Sequence, residues 1–125
     1  MNIQISNAEI LDKLSILEIK LNKIKDKNKL INIIKELKYI QDNCMYLLKN
    51  PLIYNLYQDL QKTNKILWNI ENKIRLKEKE KKFDQEFISL ARSVYITNDK
   101  RAKIKKNINL ITESNFIEEK SYEQY

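Results

Sequence analysis

The sequence predicts an all-α fold: an antiparallel up-down four-helix bundle of two shorter helices followed by two long ones that form a hairpin. Three observations lead there. The 125 residues contain no glycine and a single proline, Pro51. Tight hairpin turns with positive φ would therefore rest on Asn or Asp alone, which disfavours a β-rich fold. Apolar residues recur at spacings of three and four along most of the chain. The polar breaks between these runs are short, and short connections set consecutive helices side by side in opposite senses. The length suits one domain over residues 1–125, enough for a real core.

Residues 1–6 read as an extended lead, with Ile3 and Ile5 alternating against polar neighbours. Ser6, Asn7, Ala8 and Glu9 then match a capping box, in which Ser6 accepts from the Glu9 amide and the Glu9 carboxylate returns to Ser6. The first helix, 7–25, carries Ile10, Leu14, Leu17, Leu21 and Ile24 on one side. Ile16 and Ile19 lie on the other, beside Asp12. A helix apolar on two sides is central in a bundle or faces a partner chain.

A polar break at 26–28 offers Asn28 as the cap of the second helix, 29–49, whose seam is Leu30, Ile33, Leu37, Ile40, Cys44 and Leu47. The helix stops at Asn50 because a residue before proline avoids helical angles. The same pair starts the third helix, 51–81, with Asn50 as N-cap and Pro51 in the first helical position. Its seam runs Ile53, Leu56, Leu60, Thr63, Leu67, Ile70 and Ile74, and its last turns, 73–82, are almost wholly charged. About 30 residues would span about 45 Å.

Asp84 caps the fourth helix, 85–112, and Phe83 with Ile88 has the spacing of a hydrophobic staple. Phe87, Leu90, Ala91 and Val94 open its seam, which turns polar at Thr97, Asn98 and Arg101 and returns to Ile104, Ile108 and Ile111. Either the helix runs through 96–99 unbroken, or Thr97, Asn98 and Asp99 cap a new one. The tail, 113–125, holds three aromatics within 116–125 and is expected to fold back on the bundle. With the first two helices shorter, the long hairpin is expected to project, its tip near Lys81.

Composition excludes much chemistry. Without glycine there is no phosphate-cradling loop, dinucleotide fingerprint or nucleophile elbow. Without histidine there is no Ser-His or Cys-His pair and no imidazole metal ligand. One cysteine makes neither an intrachain disulfide nor a zinc knuckle, and Cys44 reads as a buried thiol in a reducing compartment. The formal charge is +7, but Lys, Asn and Ile dominate together, as an AT-rich genome would supply. The three arginines, Arg75, Arg92 and Arg101, are therefore more informative than the lysines. No stretch approaches the roughly 20 apolar residues of a membrane span, and no N-terminal signal pattern occurs. A cytoplasmic protein without a membrane partner is expected.

Four strings resemble a small uncharacterised family of bacterial and viral helical domains: EILDKLSILEIK at 9–20, LWNIENKIR at 67–75, LARSVYITNDKRAKIKKNIN at 90–109 and EEKSY at 118–122. The resemblance covers nearly the whole chain and implies a stand-alone helical protein with no named activity. It also implies an association with marine bacteria, their phages and surface-polysaccharide gene clusters. Its polar positions fall on Glu9, Asp12, Lys13, Glu71, Arg75, Arg92, Asn98, Asp99, Arg101 and Lys105, while Asn7 stands where the family pattern has glycine.

Arg101 is the sharpest lead. It lies seven residues after Val94 and seven before Ile108, so a continuous helix points it into the core. A cation there is paired, solvated, or placed for a ligand. Asn98, Arg101 and Lys105, facing Thr63, Asn64, Glu71 or Arg75, would suit a small carboxylate or phosphate. An enzyme on this plan would draw on Arg75, Arg92, Arg101, Lys105 and Glu71. Chorismate-mutase-type bundles use the same logic, although their motif is absent here. The alternative is structural, with Arg101 paired to Glu71, Glu9 or Asp12 and fixing helix register.

Glu9 and Asp12 share a helical face and are weak candidates for magnesium, the one cofactor the sequence suggests at all. The basic runs at 73–82 and 100–106 lack interleaved aromatics, so solvated faces explain them better than nucleic acid does. The apolar second face of the first helix points to self-association or a protein partner. Tyr39, Tyr46, Tyr54 and Tyr57 cluster around the second helix and the start of the third and fit an interface or core filling equally. The function expected is a non-catalytic, oligomeric helical accessory or interaction module. A bundle enzyme or binder for a small anion comes second, and a nucleic-acid binder third.

Overall fold

A computed structural model describes residues 1–113, Ser121 and Glu123. The chain is all-helical: α1 spans Asn7–Lys23, α2 Lys27–Cys44, α3 Pro51–Glu80 and α4 Gln85–Ile111, with a short 3-10 segment at Met45–Lys49. The two shorter helices hold 17 and 18 residues and the two long ones 30 and 27. The fold-back expected of 116–125 lies outside the described residues.

Local chemistry sets the helix starts. Ser6 Oγ accepts from the Glu9 amide at 3.2 Å, Asn50 Oδ1 from the Leu52 amide at 2.9 Å, and Asp84 Oδ1 from the Phe87 amide at 3.0 Å. Such caps contribute about 1 kcal/mol each. Two details differ from the sequence expectation. The cap of α2 is Asp26, which accepts from the Lys29 amide at 3.0 Å, in place of Asn28. The Phe83 ring packs edge-on against Phe87 at 5.3 Å, while Ile88, its expected staple partner, stays half exposed.

The α3–α4 turn is made without glycine. Lys81 takes the left-handed conformation at φ 57°, and the Lys82 amide donates to the Lys77 carbonyl at 2.9 Å, closing the helix end. A side chain in that region costs about 1 kcal/mol. Lys77 offsets part of it by reaching Asp84 at 2.9 Å and Glu86 at 3.0 Å across the turn. These hydrogen-bonded pairs raise the Lys77 ammonium and lower the Asp84 carboxyl from their ordinary values.

The core lies where α1 meets the other elements. Leu11 and Leu14 from α1, Ile53 and Leu60 from α3 and Ile108 from α4 are completely buried, with Ile33, Leu37 and Cys44 of α2 in the same cluster. Among the described residues α1 packs against α2, α3 and α4, whereas α2 approaches α1 and the 3-10 segment but neither long helix. Leu14 and Leu17 on one side of α1 and Ile19 on the other are buried against neighbours within the chain, while Ile16 is half-buried and Leu21 exposed. Beyond this core the α3–α4 hairpin continues as two helices, whose seam includes Ile70 and Thr97.

Candidate functional site

α4 runs unbroken through 96–99, which brings Arg101 onto the inward side between Val94 and Ile108. There it meets Asp12 of α1, a carboxylate only 4% exposed. Arg101 Nε donates to Asp12 Oδ1 at 3.1 Å and Nη2 to Oδ2, a two-pronged pair that matches the planar fork to the carboxylate. Nη1 reaches Asn98 Oδ1 at 3.5 Å. From α3, buried Asn64 donates to Asp12 Oδ1 at 2.9 Å and lies 3.1 Å from Ser15 Oγ. Lys105, one turn beyond Arg101, pairs with Glu9 and comes within 3.9 Å of Asp12 Oδ2. One turn further, Asn109 Oδ1 accepts from the Ala8 amide at 2.9 Å, satisfying an orphan donor at the start of α1.

The ladder Asp12–Arg101, Glu9–Lys105, Ala8–Asn109 steps in opposite senses along α1 and α4 and so fixes their register. Its two carboxylates and two cations sum to zero charge. Asp12 Oδ1 accepts from Asn64 of α3 and from Arg101 of α4, and Oδ2 accepts from Arg101, so both oxygens are engaged.

The other sequence candidates lie outside this hydrogen-bonded cluster. Glu71 pairs with Arg75 along α3 at 3.6 Å, and both line one groove with Arg101. Arg75 and Arg92 are exposed, which removes them from the interior set of cations. Thr63 donates back to the Asp59 carbonyl at 2.8 Å. Glu9 and Asp12, the magnesium candidates, are both engaged by cationic side chains, so the negative charge a divalent ion needs is already neutralised. Among the described residues no group of three potential ligands gathers. Sequence reasoning missed Ser15 and Asn109. Each is a polar residue within an apolar run, a signal the sequence does contain.

Beside the cluster is an open groove of about 450 Å³ between α1, α3 and α4. Ile16, Ile19, Leu67 and Trp68 supply apolar walls, and Asn64, Glu71, Arg75 and Arg101 supply polar ones. Its size falls within the range of small-molecule sites.

A second buried polar group surrounds Tyr57 of α3. Gln61 donates to Glu18 of α1, and the fully buried Tyr57 hydroxyl has no hydrogen-bond partner among the described residues. Burial first, and the Glu18 carboxylate second, push the Tyr57 phenol well above its usual range and the Cys44 thiol up to about 11. Both groups are held neutral by the fold, so their contribution is complete below the unfolded-state values. It is lost once the unfolded chain ionises first. Stability should therefore fall as pH rises from about 9 through about 11. Urea melts across that window test this, and Cys44→Ala should flatten the lower part of the decline. A curve with no fall would show that these groups do not resist ionisation.

A family model described as a family of unknown function (DUF6165) matches residues 1–125. No curated protein and no solved structure matches the chain.

Proposed function

From the premise that the chain belongs to this family of unknown function, we propose that it is a non-catalytic helical interaction module that self-associates through the distal half of the α3–α4 hairpin. The closure of the polar cluster carries this reading. Asp12 takes both prongs of Arg101, and Lys105 is on Glu9, so the interior cations are used in holding α1 on α4. Function then falls to the surface.

The distal hairpin offers one. Ile66, Leu76, Phe83, Ile88 and Tyr95 are 44–56% exposed there. Two helices bury one stripe each, whereas a second hairpin laid against the first would supply the missing faces of a four-helix arrangement. Light scattering on eluting protein should give a mass above monomer that persists on dilution. Leu76→Glu combined with Ile88→Glu should return it to monomer without loss of helicity. A parent that is monomeric at every concentration overturns the proposal.

The groove favours a second reading, a binder for a small amphipathic anion. Trp68 offers an apolar face there, and Arg101 retains N–H groups beyond those on Asp12. A rise in melting temperature with aromatic carboxylates or phosphates, abolished by Trp68→Ala, would support it. No shift with any of them would remove it.

A further inference from the structure

We propose that the α1–α2 turn and the solvent face of α2 form a peripheral docking surface for anionic lipid. This goes beyond self-association through the distal hairpin and rests on different residues. The chain's charge is unevenly spread. Between residues 20 and 38 there are seven lysines against Asp26 and Glu36, which gives +5 of the total +7 within 19 residues. Glu36 is itself taken up by Lys13 at 2.8 Å, and Asp26 is turned to the Lys29 amide as a cap.

Helical geometry sorts what remains. Ile33, Leu37, Ile40 and Cys44 turn toward α1, so Ile31, Lys35, Lys38 and one carboxylate, Asp42, point to the opposite side, with Lys27 and Ile34 on its flank. Ile31 is 64% exposed, Ile34 55% and Tyr39 68%. Isoleucines projecting between lysines cost solvation in water and gain nothing from the core.

Charge complementarity and side-chain type together select the occupant. Lys35 and Lys38 on this face, with Lys27 on its flank and Lys23 and Lys25 at the adjoining turn, attract an anionic leaflet. Their stems lie along apolar material while the ammonium stays at headgroup level. Aliphatic side chains between them enter the headgroup–acyl boundary, and a tyrosine suits the same depth. A nucleic-acid strand would use the charge but has little use for paired isoleucines, and it is better served by arginine and stacked aromatics. Among the described residues no helix is long and apolar enough to cross a membrane, so the contact is peripheral. The sequence expectation of no membrane partner rested on the lack of a span, a criterion that does not reach surface docking.

The test is co-sedimentation of the full chain with vesicles of mixed phosphatidylglycerol and phosphatidylcholine, beside vesicles of phosphatidylcholine alone. Binding should occur on the mixed vesicles and fall with added salt. Lys35→Gln with Lys38→Gln should weaken it about 30-fold, at about fivefold per lysine. Ile31→Ser with Ile34→Ser should weaken it about tenfold through lost insertion. All four positions are exposed, so the helical circular dichroism should be unchanged, and the mass seen by light scattering should not move. Absence of sedimentation with mixed vesicles at low salt overturns the proposal. So does an isoleucine variant that sediments as well as the parent, or a parent that binds single-stranded DNA tightly and ignores vesicles.

Discussion

Replacing Arg101 with leucine should lower the melting temperature by on the order of 10 °C, a loss of about 3 kcal/mol. The reason is Asp12. It is 4% exposed, and Arg101 makes two of its contacts, so the substitution leaves a buried carboxylate with Asn64 at 2.9 Å and Lys105 at 3.9 Å. Removing one partner of such a pair costs more than the pair itself contributes, because the survivor keeps its desolvation penalty. Replacing both, Asp12→Leu with Arg101→Leu, should recover most of the loss, since apolar side chains of similar volume fill the site without charge. Thermal and urea melts followed by circular dichroism measure both variants. If Arg101→Leu melted at or above the parent, Arg101 would be a group kept at a cost to stability, as ligand-binding groups often are. The groove reading would then displace the closed-cluster one.

The second large effect belongs to the core. Leu14→Ala should cost about 3 kcal/mol, because Leu14 is fully buried in the helix that the other three surround. A cavity there is bordered by several elements and closes poorly. Ile31→Ala, on the solvent face of α2, should change stability by less than about 0.5 kcal/mol. The contrast between two aliphatic truncations on neighbouring helices is read from urea midpoints at constant m-value. Equal losses at both positions would mean that α1 is not the central helix.

The groove and the cluster make different demands on the same arginine. In the cluster, Arg101 is a cross-link between α4 and α1. In the groove it is one wall among several, beside Trp68 and Asn64. Trp68→Ala separates the two, since Trp68 lines the groove and makes none of the cluster's hydrogen bonds. Self-association and lipid docking are likewise separable, because Leu76 and Ile88 lie on the distal hairpin and Ile31 and Lys35 on α2.

The sequence by itself determined the elements: four helices, two short and two long. Their starts at Ser6, Asn50 and Asp84 were legible because a cap is made within three residues of the chain. Asp26 and Asn28 are two capping residues two positions apart, and the spacing of the seam did not decide which would begin α2. The inward direction of Arg101 was also legible, from its place seven residues from Val94 and from Ile108. Its partner was not. Glu9, Asp12 and Glu71 all carry the required charge, and the choice depends on how α1 crosses α3 and α4. Tertiary structure alone brought Asp12 to Arg101 and left Arg75 and Arg92 in solvent, whereas the Glu71–Arg75 pair is an i,i+4 contact that helical spacing already supplies. Tertiary structure also buried Leu14 and Leu17 on one side of α1 and Ile19 on the other within the chain. Caps and helical faces are fixed by hydrogen bonds and periodicity over a few residues. Pairing across 89 residues is fixed by which packing of the whole chain buries most apolar surface and leaves the fewest charges unpaired.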